Sequence, residues 1–331
     1  MAEKVLEIRG LTAGFISDKG LLKAADNISL EIMRGETLCV VGESGSGKSV
    51  TSLAIMRLLD YAGGLIVDGE ILFKGEDLTT KSQEEMGKIR GNKIAMIFQD
   101  PMSALNPVFT VGDQIAETLM IHQGMDRKQA MEEAIKLLGH VGIPAPEIRV
   151  KQYPHELSGG MCQRVVIAIA LACKPDLLIA DEPTTALDVT VQAQILDLLK
   201  SLQQEFGMSI LLITHDMGVA SEVADRIAVM YAGTIVEEGT VFDIFDHPSH
   251  PYTQGLLESI PGYETTRGSE LYTIKGTIPR LGELPSGCRF HPRCPHATDK
   301  CRAMEPGSIQ LSDTHRTACW LYQEEAGVKK S

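Results

Sequence analysis

The chain has 331 residues, of which 44% are hydrophobic and 23% charged, and its formal net charge is −13. This composition is typical of a soluble protein with a full core, and the negative charge disfavours a broad nucleic-acid or anionic-lipid surface. The longest purely apolar run, residues 165–173, is far shorter than the roughly 18 residues of a membrane span. Residues 1–10 lack the apolar core of a signal peptide. We therefore expect a cytosolic protein that depends on other subunits for any role at a membrane.

Strand and helix patterns alternate along the chain, which indicates a mostly parallel sheet covered on both faces. Strand patterns occur at residues 5–8, 28–32, 37–41, 94–98, 177–180, 209–214 and 227–230. Helical patterns occur at residues 48–59, 113–123, 127–141 and around 195–202. Residues 101–160 carry few strand signals and predict a helical insertion. The Pro- and Gly-rich residues 247–287 begin a separate C-terminal extension.

A glycine-rich loop follows the predicted strand at 37–41 and precedes the predicted helix. Its sequence, GESGSGKS, fits the pattern G-x-x-x-x-G-K-[ST]. The glycines allow successive N–H groups to face one centre, Lys48 supplies a charge for the β- and γ-phosphates, and the Ser49 hydroxyl can bind Mg²⁺. The predicted nucleotide-binding residues are Gly42, Ser44, Gly45, Ser46, Gly47, Lys48, Ser49 and Val50.

Two carboxylates come directly after the apolar strand at 177–180. Ligands of parallel sheets bind at the carboxyl ends of the strands, which is where Asp181 and Glu182 lie. Asp181 is placed to hold Mg²⁺, and Glu182 to orient or deprotonate an attacking water. Two acids after a strand can also simply begin a helix, but their combination with the glycine-rich loop favours catalysis.

Residues 157–161, LSGGM, resemble the LSGGQ signature of ATP-binding-cassette (ABC) ATPases, with Met161 at the last position. Ser158 suits a helix N-cap, and Gly159 and Gly160 leave N–H groups exposed at the start of a helix. In the family this loop reaches the nucleotide of the opposing subunit. The substitution at Met161 affects this contact little, because backbone N–H groups and the serine hydroxyl make it.

Further motifs of the same family follow in order over residues 5 to about 240. Gln99 resembles the glutamine that reaches Mg²⁺ and the attacking water, and residues 186–188, with Asp188, resemble the loop that links the two sites of a dimer. His215 resembles the histidine that contacts the γ-phosphate, and Phe15 the aromatic residue that stacks on adenine. The resemblance implies a P-loop NTPase fold with a parallel-sheet core, an antiparallel β subdomain and a helical subdomain at about 101–160.

The C-terminal part resembles one branch of the family, the dipeptide and oligopeptide importer ATPases. Residues 250–257, HPYTQGLL, match that branch, and so does an array of four cysteines, some examples of which carry a [4Fe–4S] cluster. Zinc and free or disulfide-linked cysteines are the alternatives, although no short C-x₂₋₄-C knuckle occurs. The array consists of Cys288, Cys294, Cys301 and Cys319, with Arg289, Arg293 and Arg302 close by in sequence as candidates to screen a cluster or as solvated surface residues. The other cysteines, Cys39, Cys162 and Cys173, sit singly among apolar residues and are expected to be buried.

The resemblance implies the ATPase subunit of a bacterial peptide importer, with ATP, Mg²⁺ and a [4Fe–4S] cluster as its cofactors. We expect an ATPase domain at residues 1–246 and the extension at 247–331. The expected partners are a second ABC ATPase subunit, identical or related, two membrane permeases that dock near residues 99–107, and, indirectly, an extracytoplasmic peptide-binding protein. Such a protein would lie on the cytoplasmic side of the membrane and bind no nucleic acid. The distance in sequence from Lys48, Glu182 and His215 predicts that the cluster is structural and separate from the ATPase chemistry.

Three alternatives belong to other classes of function. A DNA-repair or translation ABC ATPase usually has two cassettes or a basic surface, whereas this chain has one cassette and a net charge of −13. A catalytically silent module is expected to lack Glu182 or His215. A redox-sensing regulator would explain the cysteines but leave the ATP motifs without a role. Within transport, nickel or another small solute remains an open alternative to peptides.

Overall fold

The computed structural model describes residues 3–18, 20–185, 187–260 and 273–323. Their strands, in chain order, are β1 (Lys4–Ser17), β2 (Gly20–Met33), β3 (Thr37–Val41), β4 (Gly64–Phe73), β5 (Glu76–Asp77), β6 (Ile94–Ile97), β7 (Leu177–Asp181), β8 (Ser209–Thr214), β9 (Arg226–Tyr231), β10 (Thr234–Thr240), β11 (Ile309–Gln310) and β12 (Arg316–Thr317). The helices are α1 (Lys48–Ile55), α2 (Gln83–Ile89), α3 (Pro101–Ala104), α4 (Val111–Gln123), α5 (Arg127–His140), α6 (Pro146–Arg149), α7 (Gly159–Leu171), α8 (Val189–Phe206), α9 (Met217–Val223), α10 (Val241–Asp246), α11 (Pro251–Glu258) and α12 (Asp299–Ala303). Short 3₁₀ turns cover Leu59–Ala62, Pro154–Glu156 and Trp320–Tyr322.

The chain divides into two compact units. The first unit contains residues 1–5, 32–36 and 80–213, and the second contains residues 6–31, 37–79 and 214–331. Within the first unit, β6, β7 and β8 are adjacent and parallel, and every residue of β7 and β8 that belongs to it is buried. Helices α4, α5 and α7 of the same unit pack against one another, as the predicted helical insertion requires.

In the second unit, β3 runs parallel to β9, and β10, β12 and β11 then continue the sheet in antiparallel steps. A second, four-stranded sheet has the order β2–β1–β4–β5, with β1 antiparallel to β4. The expected combination of a parallel core, an antiparallel β subdomain and a helical subdomain is therefore confirmed. The short strands β11 and β12 belong to the C-terminal extension, and β12 pairs with β10. The division into domains at residue 246 stays a prediction.

The antiparallel strands are longer than their sequence patterns predict. β1 covers 14 residues, whereas its sequence pattern predicts a strand only at residues 5–8. The pairing of β1 with β4 shifts register between Arg9 and Ala13. An irregularity of this kind interrupts the strict alternation of apolar and polar residues from which strands are predicted. Asn27 in β2 adopts a left-handed backbone conformation, with φ of 54°. This irregularity likewise interrupts the alternating pattern, so the sequence predicts only the second half of β2.

Candidate nucleotide site and four-cysteine pocket

The loop 42–49 connects the buried strand β3 to helix α1 in the second unit. Two of its positions accept no other residue than glycine. Gly47 has φ of +106°, and a Cβ atom there would lie 2.2 Å from the carbonyl oxygen of Ala24. A Cβ atom at Gly42 would lie 2.2 Å from the carbonyl oxygen of Met230. The two glycines therefore let the loop pack tightly against the backbone of its neighbours.

Lys48 begins helix α1 and is 5% exposed. Its Nζ donates to the carbonyl oxygens of Gly42 at 2.6 Å and of Glu43 at 3.1 Å. The ammonium group is therefore bound to the backbone of the loop itself. Ser46 is fully buried, and among the described residues its Oγ has no hydrogen-bond partner. A buried cation, an orphaned hydroxyl and a glycine cradle form a donor set that fits a phosphate group.

Asp181 is the last residue of strand β7 in the first unit, and Glu182 follows it directly. Asp181 is 6% exposed, and Glu182 is half-buried. Glu182 Oε2 accepts from Gln99 Nε2 at 3.0 Å and from Thr185 Oγ1 at 2.9 Å. The structure therefore brings together Gln99 and Glu182, which lie 83 positions apart in the chain. The sequence patterns gave no indication of Thr185.

The backbone at Glu182 is unusual. Its φ of 48° lies in the left-handed region, which costs a residue with a side chain about 1–2 kcal/mol. Its N–H donates to the carbonyl oxygen of Ile213 at 2.9 Å, which holds this conformation in place. Strain that the surrounding structure maintains at a carboxylate is a recurrent feature of functional sites.

The loop predicted to reach an opposing nucleotide also lies in the first unit. Ser158 is exposed and is the N-cap of α7, where its Oγ accepts from the N–H of Met161 at 3.4 Å. Asp188 is the N-cap of α8. The starts of these helices are close together, because a Cβ atom at Gly160 would lie 2.9 Å from Val191 Cγ1. Gly159 begins α7, and Ala186, in the loop before Asp188, lies outside the described residues.

The remaining predicted contacts of the nucleotide lie in the second unit. His215 directly follows β8 and is exposed, and Asp216 then caps α9 by accepting from the N–H groups of Gly218 and Val219. Phe15 is half-buried near the end of β1, paired with Gly64. In the phosphate loop, Ser44, Gly45 and Ser49 are exposed and Val50 is half-buried.

The four C-terminal cysteines line one small cavity of the second unit, together with Phe290, His291, Trp320 and Leu321 among others. Burial raises the pKa of Cys288, Cys294 and Cys319, in the last case to about 11. They are therefore neutral thiols at pH 7 unless positive charge is brought to them. All seven cysteines are free of disulfides. The prediction that Cys39, Cys162 and Cys173 are buried is confirmed.

The three nearby arginines have different surroundings. Arg289 pairs with Asp26, Arg293 is buried against Glu43 of the phosphate loop, and Arg302 is exposed with Asp299 as its partner. The solvated alternative therefore describes Arg302 only. Arg293 of the cysteine segment therefore contacts the phosphate loop, which sequence distance does not indicate. The separation of a cluster from the ATPase chemistry stays a prediction.

The second unit contributes a glycine loop with a buried lysine between a strand and a helix, and the first unit contributes two carboxylates at the end of a buried parallel strand. Together these features define a P-loop nucleotide-binding protein. The family described as "ABC transporter" matches residues 25–185, and the family described as "Oligopeptide/dipeptide transporter, C-terminal region" matches residues 236–301. The oligopeptide transport ATP-binding protein AppD of Bacillus subtilis is 53% identical over 99% of both chains. The dipeptide transport ATP-binding protein DppD of the same organism is 53% identical over 98% of this chain and 96% of its own length.

Solved structures give the same result. The ATP-binding cassette MJ0796, in a dimeric post-hydrolysis state bound to ADP and Pi, has a TM-score of 0.64 and 30% identity, covering 71% of this chain and 98% of its own. The chain belongs to the ABC-transporter ATP-binding proteins, in the oligopeptide and dipeptide branch. It is an ABC ATPase, and this class of enzyme uses ATP and Mg²⁺. No helix within residues 3–18, 20–185, 187–260 and 273–323 has the length and apolar content needed to span a bilayer.

Proposed function

We propose that this chain hydrolyses ATP to drive the import of dipeptides or oligopeptides through separate membrane subunits. Similarity over its full length to oligopeptide and dipeptide transport ATP-binding proteins carries this proposal. The match of residues 236–301 to the C-terminal region of such transporters adds an independent segment. These two observations favour peptides over nickel or another small solute, and over a role in DNA repair or translation.

The proposed chemistry assigns a role to each residue of the site. The loop 42–50 and Lys48 bind the phosphates, and Phe15 stacks on the adenine. Ser49, Gln99 and Asp181 would hold Mg²⁺, which neutralises phosphate charge when bound. Glu182 orients the attacking water and accepts its proton, and Gln99 and Thr185 fix the carboxylate for that task. His215 contacts the γ-phosphate.

The active form is proposed to be a head-to-tail dimer with a second ABC ATPase subunit, identical or related. Ser158, Gly159 and Gly160 of one subunit then approach the nucleotide on the phosphate loop of the other, and Asp188 links the two sites. The exposed start of α7 supports this arrangement, because helix N-termini favour phosphate. The dimeric state of the MJ0796 cassette offers a precedent within the same fold.

We place the docking surface for the two membrane subunits on residues 98–121 of the first unit, which includes the expected segment 99–107. Several large apolar side chains are exposed there: Phe98, Met102, Val108, Phe109, Met120 and Ile121. Exposed apolar groups in this number mark an interaction surface, and a cytoplasmic segment of a membrane subunit would cover them. The chain would then lie peripherally on the cytoplasmic side of the membrane, with an extracytoplasmic binding protein supplying the peptide.

Uptake by cells whose copy of this gene is deleted tests the proposal. Labelled di- and tripeptides and labelled nickel are offered to the deletion strain, complemented either with the wild-type chain or with Lys48→Ala. We expect peptide uptake to return with the wild-type chain only. Nickel uptake that follows the wild-type chain, with peptide uptake unchanged, would establish the small-solute alternative in its place.

We also propose that Cys288, Cys294, Cys301 and Cys319 bind one [4Fe–4S] cluster. The four thiols line a single cavity, which supports a shared ligand. Among the described residues, no group of three or more His, Cys, Asp or Glu side chains is close enough together to hold a metal ion, so the proposal rests on the shared cavity and on the resemblance of the cysteine array. A cubane cluster binds each thiolate at a different iron and so fits thiols that surround a cavity. The cluster would cross-link a segment that has little apolar core of its own.

Metal analysis of anaerobically purified protein tests the cluster. We expect brown protein with about four iron atoms and four sulfides per chain, and loss of colour in Cys301→Ser. Cys173→Ser is the matched control, because Cys173 is buried in the first unit and far from the array in sequence. Zinc without acid-labile sulfide, or iron content unchanged in Cys301→Ser, would contradict the assignment.

A further inference from the structure

Glu43 is one of two phosphate-loop residues, with Gly42, whose carbonyl oxygens accept a hydrogen bond from Lys48 Nζ. Its carbonyl oxygen accepts from Lys48 Nζ at 3.1 Å and from the Ser46 N–H at 3.2 Å. A displacement of Glu43 therefore moves an acceptor of the lysine and a turn of the loop together.

The other polar groups of Glu43 are held by residues of the C-terminal extension. Its N–H donates to the hydroxyl oxygen of Tyr252 at 2.9 Å, and Tyr252 is fully buried. Its carboxylate receives two bonds from Arg293, from Nη1 at 2.6 Å and from Nη2 at 3.1 Å. The Arg293 side chain is only 4% exposed, whereas the Glu43 side chain is 36% exposed, so water is excluded from this forked ion pair on the arginine side. The backbone and the side chain of Glu43 are thus both held by the C-terminal extension.

Arg293 is itself held on several sides. Its Nε donates to the carbonyl oxygen of Lys275 at 3.0 Å, and its guanidinium lies 5.8 Å from the centre of the Tyr231 ring. That ring packs edge-on against Tyr252, at 4.7 Å between centroids, and against Phe290, at 5.2 Å. A rigid aromatic cluster therefore joins both residues that hold Glu43.

The same cluster is tied directly to the cysteine pocket. Phe290 and Arg293 lie between Cys288 and Cys294, in a segment of consecutive tight turns. The N–H of Arg293 donates to the carbonyl oxygen of Phe290 at 3.0 Å, and the N–H of Cys294 donates to that of His291 at 3.3 Å. A change in the spacing of Cys288 and Cys294 therefore acts directly on the turn that carries Arg293.

We infer that Arg293 and Tyr252 are positioning residues of the phosphate loop. Through them, the spacing of Cys288 and Cys294 in the four-cysteine pocket sets the affinity of the loop for nucleotide. The inference rests on the proposed function, since it assumes that the loop binds ATP. Because energetic coupling between two sites is reciprocal, nucleotide on the loop must in turn change the accessibility of the cysteines.

ATP titration of the purified full chain tests the inference in a double-mutant cycle. We expect Glu43→Gln and Arg293→Met each to weaken ATP binding about tenfold, and the double variant to be no weaker than either, because all three lack the same ion pair. The double variant also guards against misfolding, since each single variant leaves one charge of the pair without its partner, whereas the double variant leaves neither. Arg302→Met is the matched control, next to Cys301 as Arg293 is next to Cys294, and should bind ATP like wild type.

Lys48→Ala distinguishes this inference from the proposed function. Loss of binding in Lys48→Ala with affinities within twofold of wild type in Glu43→Gln and Arg293→Met would overturn the inference alone. Binding unaffected by Lys48→Ala would overturn the phosphate site itself. Additive losses in the double variant would also count against the ion pair as the route of coupling.

Cysteine labelling gives a readout that does not depend on turnover. The rate at which N-ethylmaleimide labels the four cysteines is measured by mass spectrometry with and without saturating ATP. We expect ATP to slow labelling about fivefold in the wild-type chain and to have no effect in Glu43→Gln. Equal rates with and without ATP in the wild type would refute the coupling.

Discussion

Glu182→Gln is expected to reduce the ATP turnover of the assembled transporter by about 10²–10⁴-fold while leaving ATP binding intact. Glutamine keeps the shape of the side chain and its place next to Gln99 and Thr185, but it cannot accept a proton from water. The phosphate loop is unaltered, so nucleotide still binds and hydrolysis stops. Steady-state phosphate release and equilibrium ATP titration measure the two effects separately.

The control for this variant is Glu205→Gln, which makes the same chemical change on the exposed side of α8 in the same unit. It should leave both turnover and binding unchanged. Turnover near the wild-type value in Glu182→Gln would remove this residue from catalysis. A large loss of ATP binding would instead show that the left-handed backbone at Glu182 tolerates only the native side chain.

Ser158→Arg is expected to abolish hydrolysis by the assembled pair of subunits, while the isolated chain binds ATP within about twofold of wild type. Ser158 caps α7 from an exposed position, so the long side chain can be accommodated in the monomer but obstructs an approaching subunit. Loss of the N-cap hydroxyl costs about 1 kcal/mol of stability, which a domain of this size withstands. ATP titration of the isolated chain and sedimentation with ATP separate binding from dimer closure.

Ser201→Arg serves as the control, because Ser201 is exposed in the middle of α8, away from the start of either helix. It should leave both dimer closure and hydrolysis as in wild type. If Ser158→Arg greatly weakened ATP binding by the monomer, the loop would act on its own chain's nucleotide and the head-to-tail arrangement would be wrong.

The features predicted well from sequence are those whose chemistry is local. Residues 42–49 carry their whole requirement, glycines for the turn and a lysine at its end, within eight positions, and strand β3 before them is a continuous apolar run. Helices α4 and α5 were predicted within one residue or two for the same reason, since their apolar periodicity is regular. Local sequence therefore determined these elements.

Features that depend on tertiary contact could not be predicted. The ion pair of Arg293 with Glu43 joins residues 250 positions apart, and no pattern in either segment identifies its partner. The left-handed conformation of Glu182 is held by Ile213, which the sequence cannot place beside it. Both cases concern the environment of a charged side chain, which only the packed fold defines.

Peptide uptake into reconstituted vesicles is the most direct test of the account. The vesicles contain this chain with its ATPase partner, the two membrane subunits and an extravesicular peptide-binding protein, and ATP is enclosed on the side of this chain. The account predicts uptake of a labelled peptide that requires ATP and falls to background with Glu182→Gln. Uptake that proceeds equally with that variant, or ATP hydrolysis by the wild-type complex with no uptake of any peptide offered, would contradict it.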